Sequence, residues 1–486
     1  MKFPTRMYLC GELREAATTL PVENPATEQH VVTVATAAGD EVRQALNCAR
    51  DAFPTWSRTS IAERQAWMRK LRAEVIANED YLRLCIHQEM GKSWASTQED
   101  FDSLKNSLAF YAEEIARLHD YGLADRPGTH CHRMVHEPAG VAVAFLAWNF
   151  PLLNLAFKIG PAMAAGCPII IRPSNDTPIS AYAVGELCHR IGLPKGVVQI
   201  IATASHEDAD MLSASTIPAV LTLIGSTETG RHIMRTGSTS IKKYSMELGG
   251  NAPALVFDDA DVDQAVATLC GVKFSNAGQI CVSPNRVFVH RRVLDSFTAK
   301  AVAHAKGATV GWDREADITT GPLINRKAFL RNKTLVDDAV EKGARLLAGG
   351  DRPASLSRGH YLAPTVLADV DDRMKVYRQE SFGPIISIIP FDDDTPLAEM
   401  ANDGEEGGLT AYVFTRDLAR AEHYASLLRY GEIQINGVKY DIDLPHGGIG
   451  QSGIGHDCSA LALHDYLVLK RVTRALPSVS ASGDMA

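Results

Sequence analysis

The sequence predicts an α/β fold made of two successive doubly wound units, and three observations carry that reading. At 486 residues the chain exceeds what one hydrophobic core normally organises. From Gly140 onward, short apolar runs alternate with helical stretches, the pattern of βαβ units and a mainly parallel sheet. The same pattern restarts after Glu247 and continues to about residue 430. An apolar fraction of 45% with 22% charged residues is that of an ordinary globular chain.

The first elements are a strand at Val31 to Ala35 and a helix after Gly39, with Asp40 as its expected N-cap. Val42, Ala45, Leu46, Ala49 and Phe53 recur there at helical spacing. Residues 60 to 118 read as long polar helices whose mixed charges are solvated faces. Strands are expected at Val141 to Ala147, Pro168 to Arg172, Val197 to Ile201 and Ala219 to Leu223. Helices fit near 155 to 165, 178 to 191, 206 to 213 and 228 to 236. Asn149, Pro151, Asn154, Lys158, Pro161 and Pro168 interrupt the apolar stretch from Val141 to Ile171, so it reads as buried core and not as a membrane span. In the second unit, Ala254 to Phe257 and Arg286 to His290 are strands, with a helix from Asp261 and a turn at Cys281 between them. Residues 120 to 138 and 464 to 475 fit neither unit. Tyr466 to Val472 is a credible strand whose open edge calls for a partner. The small, polar tail from Ser478 to Ala486 is expected to be mobile.

A net charge of −9 gives no general attraction for nucleic acid or an anionic membrane surface. Nine cysteines without a CxxC pair indicate free thiols in a reducing compartment, and the start Met1 to Arg6 lacks a signal-peptide core, so a cytoplasmic location is expected. His130, Cys131, His132 and His136 are ligand-type residues without an acidic fourth partner, and no metal site is expected.

Two segments carry the chemistry: Met246-Glu247-Leu248-Gly249-Gly250-Asn251 and Gly278-Gln279-Ile280-Cys281. A cysteine in a small-residue turn can present its sulfur to an electrophile, and a glutamate among apolar residues and glycines can be held partly dehydrated. That pairing suits covalent catalysis followed by hydrolysis. Asn149, in Ala147-Trp148-Asn149-Phe150-Pro151, adds a neutral amide donor. Taken singly, each has a plain alternative: a core cysteine, a surface glutamate, a turn asparagine before proline.

These segments resemble the active-site signatures of the aldehyde dehydrogenase superfamily, and the resemblance runs from Asn24-Pro25-Ala26-Thr27 to Gln451-Ser452-Gly453-Ile454-Gly455. It implies that Cys281 attacks an aldehyde, that Asn149 and the Cys281 backbone N–H face the resulting oxyanion, and that Glu247 activates the water that releases the acid. It also implies an NAD(P) site at Leu146, Ala147, Trp148, Arg172, Ser174, Asn175, Gly225, Ser226, Leu248, Glu380 and Phe382. Residues 1–119 and 139–247 would form the cofactor-binding domain and 248–430 the catalytic domain, with 431–463 returning to the first. Residues 120–138 and 464–486 would form a β extension that joins subunits into a homodimer or homotetramer.

No GxGxxG follows a strand, and the turn Gly225 to Arg231 lacks the Lys-Ser/Thr of a P-loop, so its backbone N–H groups are better matched to a pyrophosphate at a helix N-terminus. Arg172-Pro173-Ser174-Asn175 stands where the family pattern has Lys-Pro-Ser, often followed by an acid. An arginine pairs well with a phosphate, and Asn175 in place of that acid removes repulsion toward one, so NADP is expected to be tolerated or preferred. Ala202 to His206 replaces the usual Gly-rich turn after the next strand.

The resemblance is to the succinic semialdehyde branch, but the carboxylate-clamping arginines of that branch align with Phe157 and Ser275. Asn154, Phe157, Ser275, Tyr440 and His446 would make a mixed polar and aromatic mouth for a small polar aldehyde or a semialdehyde, and an anion could bind if Arg172 or His446 reached the tunnel. Glu247 argues against a member that passes the acyl group to coenzyme A. A thiol hydrolase or esterase without redox chemistry would use Cys281 alone, and a non-catalytic scaffold would need none of the three residues.

Overall fold

The computed structural model describes residues 2–403 and 408–477; the expected mobile tail at Ser478 to Ala486 lies outside them. The first unit is an eight-stranded sheet. Its spatial order is Gly453–Ile454, Lys243–Leu248, Pro218–Gly225, Val141–Phe145, Ile169–Arg172, Val198–Ile200, Met7–Leu9 and Glu12–Arg14. The five strands from Lys243–Leu248 to Val198–Ile200 are parallel, and the flanking ones are antiparallel. From Val141–Phe145 the chain builds outward in one direction through Ile169–Arg172 and Val198–Ile200. It then crosses back to lay Pro218–Gly225 and Lys243–Leu248 on the other flank. That reversal opens a crevice at the carboxyl ends of the strands, where ligands of such sheets bind.

The expected strands and helices of this unit are present within a few residues of their predicted bounds. Two differences have physical causes. Asp40 does not cap its helix: Gly39–Trp56 starts after Ala38, whose N–H donates to the Glu41 carboxylate at 3.2 Å, and Asp40 lies inside the first turn. The strand Lys243–Leu248, which carries Glu247, was not expected; its half-exposed opening residues hide the alternation that a buried strand normally shows.

The second sheet has seven strands in the order Arg345–Ala348, Thr365–Ala368, Ile385–Phe391, Arg286–His290, Pro253–Val256, Thr410–Phe414 and Glu432–Ile435. All neighbours are parallel except the first pair. Glu432–Ile435 therefore belongs to this sheet, and the second unit runs past residue 430. The return to the first sheet is made by Gly453–Ile454, which pairs with Met246 and Glu247. A third sheet joins Leu467–Ala475, His130–Pro138 and Tyr121–Leu123, so the two segments that fitted neither unit pair with each other.

The helix Pro151–Ala165 is buried on nearly every side, which explains its apolar run. Its Lys158 is fully buried and bonds Asp457 Oδ1 at 2.6 Å, tying the centre of the first unit to the returning chain. Removing one partner of such a pair strands a buried charge and costs about 3–5 kcal/mol. Lys158→Met should therefore lower the thermal midpoint and the urea midpoint clearly, and an unchanged melting curve would contradict this role.

Candidate active site

The first sheet turns its carboxyl edge, and the second its amino edge, toward a shared cavity of about 550 Å³. Asn149, Glu247 and Cys281 all line it, together with Asn154, Phe157, Tyr440 and His446. Glu247 sits near the end of the strand Lys243–Leu248, its side chain only 4% exposed, because the neighbouring strands shield it on both sides.

Cys281 follows an unusual turn. Asn276, Ala277 and Gly278 all have positive φ, 46°, 54° and 71°. Two non-glycine residues in the left-handed region store strain of about 1–3 kcal/mol each, which the surroundings must over-determine. They do so through hydrogen bonds. Gln279 Nε2 donates to the carbonyls of Asn276 at 3.0 Å and Pro322 at 3.2 Å, while its Oε1 accepts from Ile324 N–H. Asn276 Nδ2 donates to Asn149 O at 3.0 Å. Asn149 Nδ2 in turn donates to Gln279 O at 3.1 Å, and Asn154 Nδ2 donates to Asn149 Oδ1 at 3.3 Å. One network thus fixes the sulfur-bearing turn and the amide beside it.

The electrostatics centre on His446. Its Nδ1 lies 2.6 Å from Glu432 Oε1, its Nε2 3.4 Å from Glu247 Oε1 and 3.9 Å from Cys281 Sγ. Burial pushes the Cys281 thiol up, to about 12, and the Glu247 carboxylate adds to the rise, while His446 acts against them. Burial alone would lower the imidazole, but its contacts with Cys281, Glu247 and Glu432 outweigh that and hold it well above the usual histidine range.

The residues expected to hold the cofactor gather at the carboxyl edge of the first sheet. Leu146, Ala147 and Trp148 follow one strand, Arg172, Ser174 and Asn175 end the next, and Leu248 closes the strand of Glu247. Gly225 ends the strand Pro218–Gly225, and Ser226 caps the helix Thr227–Gly237, its side chain accepting from Thr229 N–H at 3.2 Å. Glu380 and Phe382 reach over this edge from the second unit. A Cβ on Gly249 would stand 2.8 Å from Glu380 Oε2, and Phe382 meets Trp148 edge to face at 5.4 Å. Beneath them, Lys273 Nζ bonds Asn285 Oδ1 at 2.7 Å and Ser381 Oγ at 3.0 Å; burial lowers its pKa to about 7. A helix N-terminus, an arginine and a glycine cradle at a topological switch point are the donor set that a dinucleotide requires.

The aldehyde dehydrogenase family matches residues 13–472. The chain belongs to the aldehyde dehydrogenase family. It is 36% identical over 471 residues to a glutarate-semialdehyde dehydrogenase of Pseudomonas putida, covering 96% of this chain and 97% of the relative. It is also 36% identical over 452 residues, 93% of each chain, to a succinate-semialdehyde dehydrogenase (NADP(+)) of Escherichia coli. Its structure is similar to that of a succinate-semialdehyde dehydrogenase from Burkholderia pseudomallei, with a TM-score of 0.95, 37% identity and 98% of each chain covered. A betaine aldehyde dehydrogenase from Staphylococcus aureus, solved with NAD+, superposes with a TM-score of 0.93 at 30% identity, over 97% of this chain and 94% of that one. This aldehyde dehydrogenase accordingly carries out NAD(P)-dependent oxidation of an aldehyde.

One residue expected at the substrate mouth falls elsewhere. Ser275 ends the helix Val262–Phe274 and is not among the residues that line the cavity. Arg172 does not line it either: its guanidinium bonds Thr203 Oγ1 at 3.2 Å and Asn175 Oδ1 at 3.1 Å on the cofactor side. His130 and His132 stack ring on ring at 6.3 Å, while His136 turns toward His464, so that histidine cluster does not converge. Glu432 was missed. Its trace in the sequence was an acid opening the run Glu432-Ile433-Gln434-Ile435, which reads equally as the exposed start of a strand.

Gly278 is the least replaceable residue of the turn, since a Cβ there would lie 2.2 Å from Gly383 O. Gly278→Ala should lower the melting temperature and, by displacing the sulfur by about 1 Å, reduce kcat by roughly 100-fold. Melting curves and steady-state rates on the purified variant check both.

Proposed function

We propose that Cys281 is the nucleophile, Glu247 the base for acyl-enzyme hydrolysis and Asn149 the oxyanion donor. The observation that carries this reading is their convergence on one cavity, with Cys281 partly accessible and Glu247 almost fully buried beside it. The sulfur bonds to the carbonyl carbon and the oxygen becomes negative. Asn149 Nδ2 has one hydrogen engaged by Gln279 O and a second available for that oxygen, alongside the Cys281 N–H. Bound NAD(P) supplies the hydride acceptor. Glu247 then takes a proton from the water that attacks the thioester, and the acid leaves. Neither the coenzyme A-dependent alternative nor the esterase alternative is favoured by the family match.

Glu247→Gln should retain a burst of one reduced cofactor per site while steady turnover falls by about 100-fold or more. Added coenzyme A should not restore it. Asn149→Ala should lower kcat by about 100 to 1,000-fold with no burst. Rapid-mixing absorbance of the reduced cofactor separates these outcomes; a burst lost in Glu247→Gln contradicts the assignment.

For the substrate, most charged groups of the cavity wall are already paired: Asp441 with Lys439 at 2.8 Å, Asp457 with Lys158 at 2.6 Å, Asp102 with Lys105, and His446 with Glu432 and Glu247. A distal substrate carboxylate finds no unpaired lysine or arginine among the described lining residues, so a small aldehyde with a neutral hydroxylated or cationic tail fits better than a dicarboxylic semialdehyde. For the cofactor, Arg172 with Asn175 at the end of its strand supports NADP over NAD. Arg172→Ala should cut kcat/KM for NADP by about 10 to 100-fold and spare NAD, the value of a charged hydrogen bond. Specificity constants for succinic and glutaric semialdehydes against neutral and amino aldehydes, with both cofactors, test both assignments. A marked preference for the semialdehydes, or for NAD, reverses the respective one.

Assembly as a homodimer or homotetramer is supported by the strand Leu467–Ala475, which exposes Val468, Leu469 and Val472. Nine free thiols support a reducing, cytoplasmic setting. No helix among the described residues is long and apolar enough to cross a membrane.

A further inference from the structure

We infer that His446, held in its charged form by Glu432, stabilises the Cys281 thiolate and so readies the sulfur for attack, a role distinct from that of Glu247. The inference rests on the reading of Cys281 as nucleophile.

Two carboxylates bracket the ring. A carboxylate can only accept, so Glu432 Oε1, at 2.6 Å from Nδ1, and Glu247 Oε1, at 3.4 Å from Nε2, together favour a proton on each nitrogen. Cys281 Sγ lies 3.9 Å from Nε2, within reach of that charge. Glu432 is itself held, its Oε2 accepting from Thr410 Oγ1 at 3.0 Å. The ring cannot drift. Its backbone N–H and carbonyl pair with Asp457 at 2.8 and 2.7 Å, Phe157 lies against it at 6.3 Å, and Tyr440 meets it edge-on at 6.1 Å.

Packing alone gives no reason for these atoms. The wall around them holds Ile224, Ile280, Val282 and Ile433, and an apolar ring would fill the slot. An imidazole and a carboxylate, with side chains 12% and 11% exposed, carry a desolvation cost that an apolar pair avoids. Their bond to each other offsets it only while the imidazole faces the sulfur and Glu247.

Every charged or titratable neighbour is consistent with a basic imidazole. Cys281, Glu247 on the strand Lys243–Leu248 and Glu432 on the strand Glu432–Ile435 surround it. Tyr412, Tyr440, Asp457 and Cys458 complete the shell, and Lys158 on the helix Pro151–Ala165 pairs with Asp457. The carboxylates favour imidazolium, and His446 is the neighbour that lowers the Cys281 thiol against burial and Glu247.

In the step, the Cys281 S–H bond breaks, its proton passing to solvent water, and the sulfur lone pair bonds to the carbonyl carbon as the C=O π pair moves to oxygen. The imidazolium keeps both of its protons and balances the negative charge on sulfur until that bond has formed. When hydrolysis of the thioester expels the thiolate, the same charge receives it. Glu247 remains the base of the water step.

The test is the pH profile of Cys281 alkylation by iodoacetamide in the cofactor-free enzyme, followed by mass spectrometry of the Cys281 peptide. It compares wild type, His446→Phe and Glu432→Gln, each checked for folding by circular dichroism. We expect His446→Phe to react at least tenfold more slowly at pH 7, with its midpoint displaced upward by one pH unit or more. Glu432→Gln leaves the ring in place, so it should move the midpoint in the same direction by less, even if the phenylalanine variant does not fold. In both, kcat/KM for aldehyde should fall at pH 7 and recover toward wild type at pH 9. Alkylation profiles that superimpose on wild type, or a loss of kcat/KM that is the same at every pH, would overturn the inference. Aldehyde oxidation that survives complete alkylation of Cys281 would instead remove the nucleophile reading beneath it.

Discussion

Two sheets can present catalytic groups to one another only if the chain brings their edges together, here the carboxyl edge of the first against the amino edge of the second, and the segment between Glu432 and Gly453 accomplishes this. It leaves the second sheet at Glu432–Ile435, passes His446 through the cavity and enters the first sheet at Gly453–Ile454, directly against Met246 and Glu247. Gly453 has φ of 150°, and a Cβ there would lie 2.2 Å from Met246 O, so backbone contact sets the register. The Lys158–Asp457 pair then locks the returning chain to the most buried helix of the first unit.

Much of this was legible in the residues. The helix Pro151–Ala165 and the strands around it follow from apolar runs punctuated by proline and glycine, and the Cys281 turn follows from its small residues. What was not legible depends on tertiary neighbours. Lys243–Leu248 is a strand because it lies between two others, although its opening lysine and tyrosine resemble a loop edge. The Asp40 cap failed because Glu41, three residues after Ala38, reaches back to the Ala38 N–H from inside the helix. Ser275 lay close to Cys281 in sequence yet points its segment away from the cavity, since the left-handed residues that follow it reverse the chain.

Glu432 is the clearest case of information held only in three dimensions. Periodicity assigns it to a strand but cannot say which residue it will meet 14 positions later. His446 was placed near the substrate from motif alignment, while its role as the junction of a sulfur and two carboxylates emerges from distances. Charge in this cavity is therefore arranged as paired ions, His446 with Glu432 at the reacting centre and Lys158 with Asp457 beside it.

The contact between Gly278 and the Gly383 carbonyl carries a mechanical consequence. A Cβ on Gly383 would in turn collide with Asn332 Oδ1 at 2.0 Å, so neither backbone can yield. The thiol-bearing turn and the loop of Glu380 and Phe382 thus touch backbone to backbone, and a side chain added at Gly278 would wedge the sulfur away from the Phe382 loop.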